Sequence, residues 1–350
     1  MKLPRIGCLP SGPRDAISDV GEVRVGHVTL DEGAIQTGIT VVLPHAGDLF
    51  LDKVPAAAVV INGFGKSVGL IQLEELGVCE TPIALTNTFG VSAAMEALIR
   101  DAMTAHPKIG RDWPTVNPLV LECNDGYLND IRALAVTPEH CRTALAKVSP
   151  DFAQGSVGAG RGMSAFALKG GIGTASRLAG GHTVGALVLA NFGRLETLTL
   201  AGQAIGRQLA EPGVSFVESS VQAPERGSII MLLATDAPLD ARQLRRLALR
   251  AGAGLARTGS VFGHGSGDIA VAFSTAYTIP QQAERPMPAI ALLHETRLDP
   301  LFHAAADATE QAILHALWHA EPVTGRDGHR RRTLREALTP IYGKDSACAS

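Results

Sequence analysis

Aromatic residues are scarce in this chain: three Tyr, two Trp and ten Phe among 350 residues. Cysteines are few and solitary. Cys8, Cys79, Cys123, Cys141 and Cys348 never fall at metal-finger spacing, and an odd number of them poorly suits a disulfide framework. That usage points to a reducing, cytoplasmic setting. No stretch reaches the roughly 20 uninterrupted apolar residues that a membrane span needs. Met1–Arg14 lacks the long apolar stretch of a secretory signal or an anchor. Neither charge dominates. With 31 Lys+Arg against 34 Asp+Glu the net charge is −3, which argues against nucleic acid as a partner, because phosphate binding needs a concentrated basic surface. The one dense basic patch, His329-Arg330-Arg331-Arg332, reads as a solvated surface segment. The histidines lack ligand spacing apart from His315 and His319, an i,i+4 pair expected on the surface, so neither a metal nor a cofactor is expected.

Small and apolar residues are what the chain has in plenty. It carries 38 Gly and is 46% apolar, enough to bury a large core and to let sheets and helices approach closely. Strands are expected at Val23–Thr29, Thr37–Leu43, Ala56–Asn62, Pro82–Thr86, Leu119–Cys123, Ser164–Leu168, His182–Asn191, Gly227–Thr235 and Asp268–Ser274. Helices are expected from about Val91 to His106, from Pro138 to Val148, over Asp240–Thr258 and from Asp299 to Ala320. In Asp240–Thr258, Leu244, Leu247, Ala251 and Leu255 share one face, with Gly259 at the helix stop. Gly155–Gly173 reads as a glycine-rich connection. There is no internal repeat and no linker, so one compact domain with sheets inside and helices outside is expected, residues 1–350.

The chemistry concentrates in Gly263-His264-Gly265-Ser266-Gly267-Asp268. A flexible loop there delivers Ser266 to the start of an apolar strand. Cutting Gly265–Ser266 would give one residue both a hydroxyl nucleophile and a free amine to serve as its base. The bland alternative is a glycine-rich turn. Gly265 could carry strained backbone geometry without a side-chain penalty. Asn191, at the end of an apolar strand, is a candidate oxyanion donor or a plain strand-end turn former. Glu122 also ends a strand, and Asn124-Asp125-Gly126 can be a simple turn. Gly63-Phe64-Gly65-Lys66-Ser67 ends like a phosphate loop, but Val60 stands where that motif needs glycine.

Several blocks together resemble the L-aminopeptidase/D-esterase family, the DmpA-like or β-peptidyl aminopeptidases. They are Leu85-Thr86-Asn87-Thr88, Glu122 through Asp130, Lys169 through Arg177, Ala190-Asn191-Phe192-Gly193, Ala234 through Leu239, and Gly265-Ser266-Gly267-Asp268. The resemblance implies an α+β, four-layer αββα sandwich, shared with ornithine acetyltransferase-like proteins. It implies self-cleavage at Gly265–Ser266 into an α chain 1–265 and a β chain 266–350, and a homo-oligomer of processed αβ units. It implies hydrolysis of N-terminal residues from short peptides, amides or esters of L-, D- or β-amino acids through an acyl-enzyme on Ser266. Glu122 then recognises the substrate ammonium, with Asn124, Asp125 and Tyr127 lining the same pocket. The family's serine and acid that orient the nucleophile are matched here by Leu293-His294-Glu295-Thr296, which has no serine; His294 or Thr296 is expected to substitute for it, with Glu295 as the acid. Two other outcomes fit the same fold: an acyltransferase of the ornithine acetyltransferase type, and a catalytically inactive binding homologue.

Overall fold

The computed structural model describes residues 3–210 and 226–342; Cys348 lies outside them. In chain order the strands are β1 (Arg24–Leu30), β2 (Thr37–Leu43), β3 (Asp52–Gly63), β4 (Val78–Cys79), β5 (Ile83–Asn87) and β6 (Leu119–Cys123). They continue with β7 (Ser164–Ala165), β8 (Leu168–Lys169), β9 (Gly171–Ala179), β10 (His182–Asn191), β11 (Arg226–Thr235), β12 (Gly265–Ser274) and β13 (Ile279–Pro280). One sheet has the order β1-β2-β5-β6, with β5 and β6 parallel. The larger sheet runs β13-β3-β12-β11-β10-β9, with β4 also on β3. Its central pair, β11 and β12, is parallel, and Ser266 lies opposite Gly227.

The apolar runs are continuous because both faces of the large sheet are covered. In β10, Leu187 and Leu189 join Val42, Leu85 and Leu121 of the smaller sheet in one cluster. Ala186, Val188 and Ala190 point the other way, into a cluster with Leu244, Leu247 and Leu255 of helix Ala241–Arg257 and Ala308 and Ala312 of helix Asp299–Trp318. β11 alternates likewise, Ile230 and Leu232 to one side and Ile229, Met231 and Leu233 to the other. On the smaller sheet's outer face, Ile39, Val41 and Val120 meet Ala94, Ala97 and Leu98 of helix Val91–Ala105 and Ala144 of helix Pro138–Ala146. The chain is therefore mixed α/β. Among the described residues no helix is long and apolar enough to cross a membrane.

Three local expectations are corrected. β9 begins inside the segment read as a glycine-rich connection. Its glycine has a packing reason: a Cβ on Gly173 would stand 1.9 Å from the Ala312 carbonyl oxygen, so only glycine lets the helix lie on the strand. The expected strand Ser164–Leu168 splits into β7 and β8, because Phe166 and Ala167 have φ of 54° and 55° and reverse the chain. His315 is not a surface residue; it is half-buried, and its Nδ1 lies 2.7 Å from the Thr174 carbonyl oxygen.

Candidate active site

Ser266 is the second residue of β12 and is 1% exposed. Its Oγ donates to Asp268 Oδ1 at 2.7 Å. Residues i and i+2 of a strand share a face, which is why Ser-Gly-Asp sets the two together. A register shift between Asp268 and Ile269, where β12 pairs with β3, lies just beyond. In the uncut chain the Ser266 nitrogen is a peptide N–H that donates to the Gly263 carbonyl at 2.9 Å. That carbonyl also accepts from Asn62 Nδ2 at 2.7 Å. The approach to the serine is thus a tight turn tied to the end of β3. Gly265 is extended and paired with Arg226; the left-handed residue is Phe262, at φ 55°, so the strained position falls four residues before Ser266.

Glu122 comes to the same end of the sheets. It is 4% exposed at the end of β6. Its Oε1 accepts from the Lys66 N–H at 2.8 Å, and its Oε2 accepts from Thr88 Oγ1 at 2.5 Å. Phe64, two residues before Lys66, donates its N–H to the Ser266 carbonyl at 3.3 Å. The Phe64–Lys66 segment therefore bridges Ser266 and the Glu122 carboxylate. Each carboxylate oxygen retains a second acceptor site. Cys123, next in β6, is buried between the sheets; burial pushes its thiol well up, and the carboxylates of Glu122, Asp268 and Asp125 add to that.

Asn191 ends β10 and pairs with Ser228, which in turn pairs with Gly267. Its Oδ1 accepts from the Ser164 N–H at 2.8 Å, and its Nδ2 donates to the Asn124 carbonyl at 2.9 Å. One amide hydrogen remains available beyond that bond. Asn124 is exposed, and its Oδ1 accepts from the Gly126 N–H at 2.9 Å, forming an Asx turn. Ser164 is held by a buried cation. Lys169 Nζ donates to the carbonyls of Gly160, Met163 and Gly170 at 2.8–2.9 Å, using all three of its hydrogens to tie the chain just before β7 to the end of β8. Burial holds that ammonium's pKa well below its ordinary value.

Tyr127 stands at the rim, 37% exposed, with the ring of His329 stacked on it at 4.7 Å. Arg331 lies against the same ring, 3.7 Å from its centroid, and its Nε donates to Ser164 Oγ at 3.3 Å. The basic run His329–Arg332 is thus not simply a solvated segment, since it packs on the Asn124–Tyr127 turn.

Two assignments do not come to this site. Asp125 points behind the turn. It is 1% exposed, accepting from Thr37 Oγ1 at 2.5 Å and Asn129 Nδ2 at 3.0 Å, and burial raises its pKa to about 6. The structure therefore makes it the turn's internal anchor. His294 and Glu295 lie at the other end of the sheet. Glu295 accepts from Arg242, Arg246 and Gln243 of helix Ala241–Arg257, and the Arg242 bond holds its pKa below the ordinary value. His294 Nδ1 lies 2.9 Å from its neighbour Thr296 Oγ1. Leu293 N–H donates to the Pro238 carbonyl, beyond the end of β11. From Ser266, opposite Gly227, to the end of β11 at Thr235 is eight residues, about 26 Å of strand. Neither residue can orient Ser266 from there; Asp268 occupies that position instead. Its signal was present in the sequence as the second residue after the serine. Ser228, whose Oγ accepts from the Gly267 N–H at 3.2 Å, carried no signal, because only the pairing of β11 with β12 brings it in.

Comparison with known proteins places this geometry. A family model described as peptidase family S58 matches residues 15–331. The beta-peptidyl aminopeptidase BapA of Sphingosinicella microcystinivorans is 38% identical over 348 residues, spanning 93% of this chain and 87% of that protein. The solved structure of the PH0078 protein from Pyrococcus horikoshii OT3 superposes with a TM-score of 0.88 at 49% identity, covering 96% of each chain. The L-aminopeptidase D-Ala-esterase/amidase of Ochrobactrum anthropi superposes with a TM-score of 0.86 at 35% identity, covering 97% of each chain; it is described as a prototype for the serine aminopeptidases and a variant among the Ntn hydrolase fold.

Proposed function

Because the chain belongs to peptidase family S58, we propose that this aminopeptidase activates itself at Gly265–Ser266 and then uses Ser266 as an N-terminal nucleophile. The observation that carries the reading is the 2.7 Å bond from Ser266 Oγ to the buried Asp268 carboxylate. In the uncut chain Asp268 accepts the hydroxyl proton as Oγ attacks the Gly265 carbonyl carbon. The peptide C–N bond breaks, its nitrogen takes the proton, and an ester joins Gly265 to Ser266. Water hydrolyses the ester, leaving a Gly265 carboxylate and a free Ser266 amine.

That amine, with an ordinary pKa of about 8, is the base for substrate turnover. Ser266 Oγ attacks the carbonyl of the substrate's first residue and passes its proton to its own amine, which hands it to the leaving amine. Asn191 Nδ2 donates to the developing oxyanion; one such donor contributes about 3 kcal/mol. Glu122 accepts from the substrate ammonium in a charge-assisted bond. Water then releases the first residue from Ser266. Asn124 and Tyr127 border the leaving side.

Substrates are short peptides, amides or esters of L-, D- or β-amino acids, and the BapA likeness favours the β class. The helix-facing and sheet-facing clusters favour one four-layer αββα sandwich, cut into 1–265 and 266–350 without dividing it. We further propose a cytoplasmic homo-oligomer of such cut units. Val60, Phe64 and Val261 stand exposed beside the Ser266 turn as apolar surface for a second copy, which sedimentation would test.

Denaturing mass spectrometry tests the central step. The purified protein is expected as two pieces meeting at Gly265/Ser266, and Ser266→Ala as a single chain of 36.5 kDa with no aminoacyl p-nitroanilide hydrolysis. Wild-type turnover by Ser266→Ala refutes it.

A further inference from the structure

We propose that Arg331 binds the C-terminal carboxylate of the substrate, making this enzyme selective for short peptides with a free C-terminus. The inference rests on the aminopeptidase reading and adds the class of leaving group.

Four observations lead to it. The Arg331 guanidinium carbon lies over Tyr127, 3.7 Å from the ring centroid, on the turn that also carries the exposed Asn124. Its Nε donates to Ser164 Oγ, and the Ser164 N–H donates to Asn191 Oδ1, so the arginine is tied to the proposed oxyanion donor through one residue. The guanidinium is half-buried, and burial lowers its pKa. Finally, three nearby arginines have carboxylate partners, Arg326 with Asp327, Arg330 with Glu336 and Arg335 with Glu321, while the exposed Arg332 donates to the Leu209 carbonyl. Among the described residues no carboxylate pairs with Arg331.

A half-buried cation without a counter-ion is unfavourable, and a carboxylate ligand relieves it. The guanidinium fork matches a carboxylate through two parallel bonds, and stacking on an aromatic face fixes its plane beforehand. Ser164 alone separates Arg331 from Asn191, so a carboxylate on the guanidinium and an oxyanion on the Asn191 amide belong to one short ligand.

The test compares kcat/KM for a dipeptide as free acid and as C-terminal amide, both carrying the N-terminal residue whose p-nitroanilide, among L-, D- and β-amino acid derivatives, is cut fastest. The wild type is expected to prefer the free acid by about tenfold or more, as for a charge-assisted pair of modest strength. Arg331→Leu is expected to bring that ratio close to one, mainly through KM, and Arg331→Lys to give an intermediate ratio. A thermal melt of each variant reports folding, and the ratio cancels any general loss of activity. An unchanged ratio in Arg331→Leu overturns the inference, as does a wild type that prefers the amide. If the wild type hydrolyses p-nitroanilides but neither peptide, the carboxylate role fails and the aminopeptidase chemistry stands. If it hydrolyses none of them, the functional reading fails and takes this one with it.

Discussion

Replacing Asp268 by asparagine isolates the step that starts everything else. The side chain keeps its size and can still accept the Ser266 Oγ bond of 2.7 Å, but it can no longer take the proton. Positioned general bases typically contribute 10²–10⁴-fold, or about 3–5 kcal/mol of barrier. Asp268 is fully buried, so solvent screens this contribution little. Asp268→Asn is therefore expected to slow conversion of the intact chain by at least about a hundredfold. The assay is a time course from freshly made protein, with intact chain and fragments counted by denaturing mass spectrometry. A melting curve beside the wild type separates slow chemistry from misfolding. A folded Asp268→Asn that cuts as fast as the wild type would show that the carboxylate is a packing feature, and the proposed proton path would be wrong.

Two further outcomes probe the frame. Gly173→Ala puts a methyl 1.9 Å from the Ala312 carbonyl and 2.5 Å from the Ala316 nitrogen, so the helix must move; overpacking of this kind lowers stability by about 1–3 kcal/mol, and unchanged denaturant unfolding would contradict it. Asp125 holds its proton more tightly folded, at a pKa of about 6, than unfolded, near 3.8. Its contribution to stability therefore falls as pH rises through that window and is flat above it, by about 3 kcal/mol in all. Urea unfolding from pH 4 to 7 should show this slope in the wild type and its loss in Asp125→Asn; identical slopes would refute it.

Much of the frame was legible because the strands are buried on both faces and so read as unbroken apolar runs. Thr37–Leu43, Leu119–Cys123 and His182–Asn191 match their expected limits. β9 hid because Gly171 and Gly173 look like a loop until the Gly155 backbone packed on the first and the helix packed on the second are seen. At the site, Ser266, Glu122 and Asn191 each mark the end or start of a strand, a position that sequence spacing can reveal. The resemblance points to His294 and Glu295 for the orienting role, but it does not say which end of the parallel pair that segment reaches. Arg331 lies inside a run of like charges, and its contacts with Tyr127 and Ser164 distinguish it from Arg330 and Arg332.

An amine freed by the proposed cut would not begin a loose tail. From Gly267 to Phe273 its strand is laced to β3 on one side and to β11 on the other, and both neighbours belong to the piece upstream of the cut. Scission therefore alters connectivity and leaves the sheet's ladder in place. The two products should travel together through any gentle purification and part only when the whole molecule melts. On the proposed reading, the intact chain would already hold the sheet of the cut enzyme and lack only the new terminus.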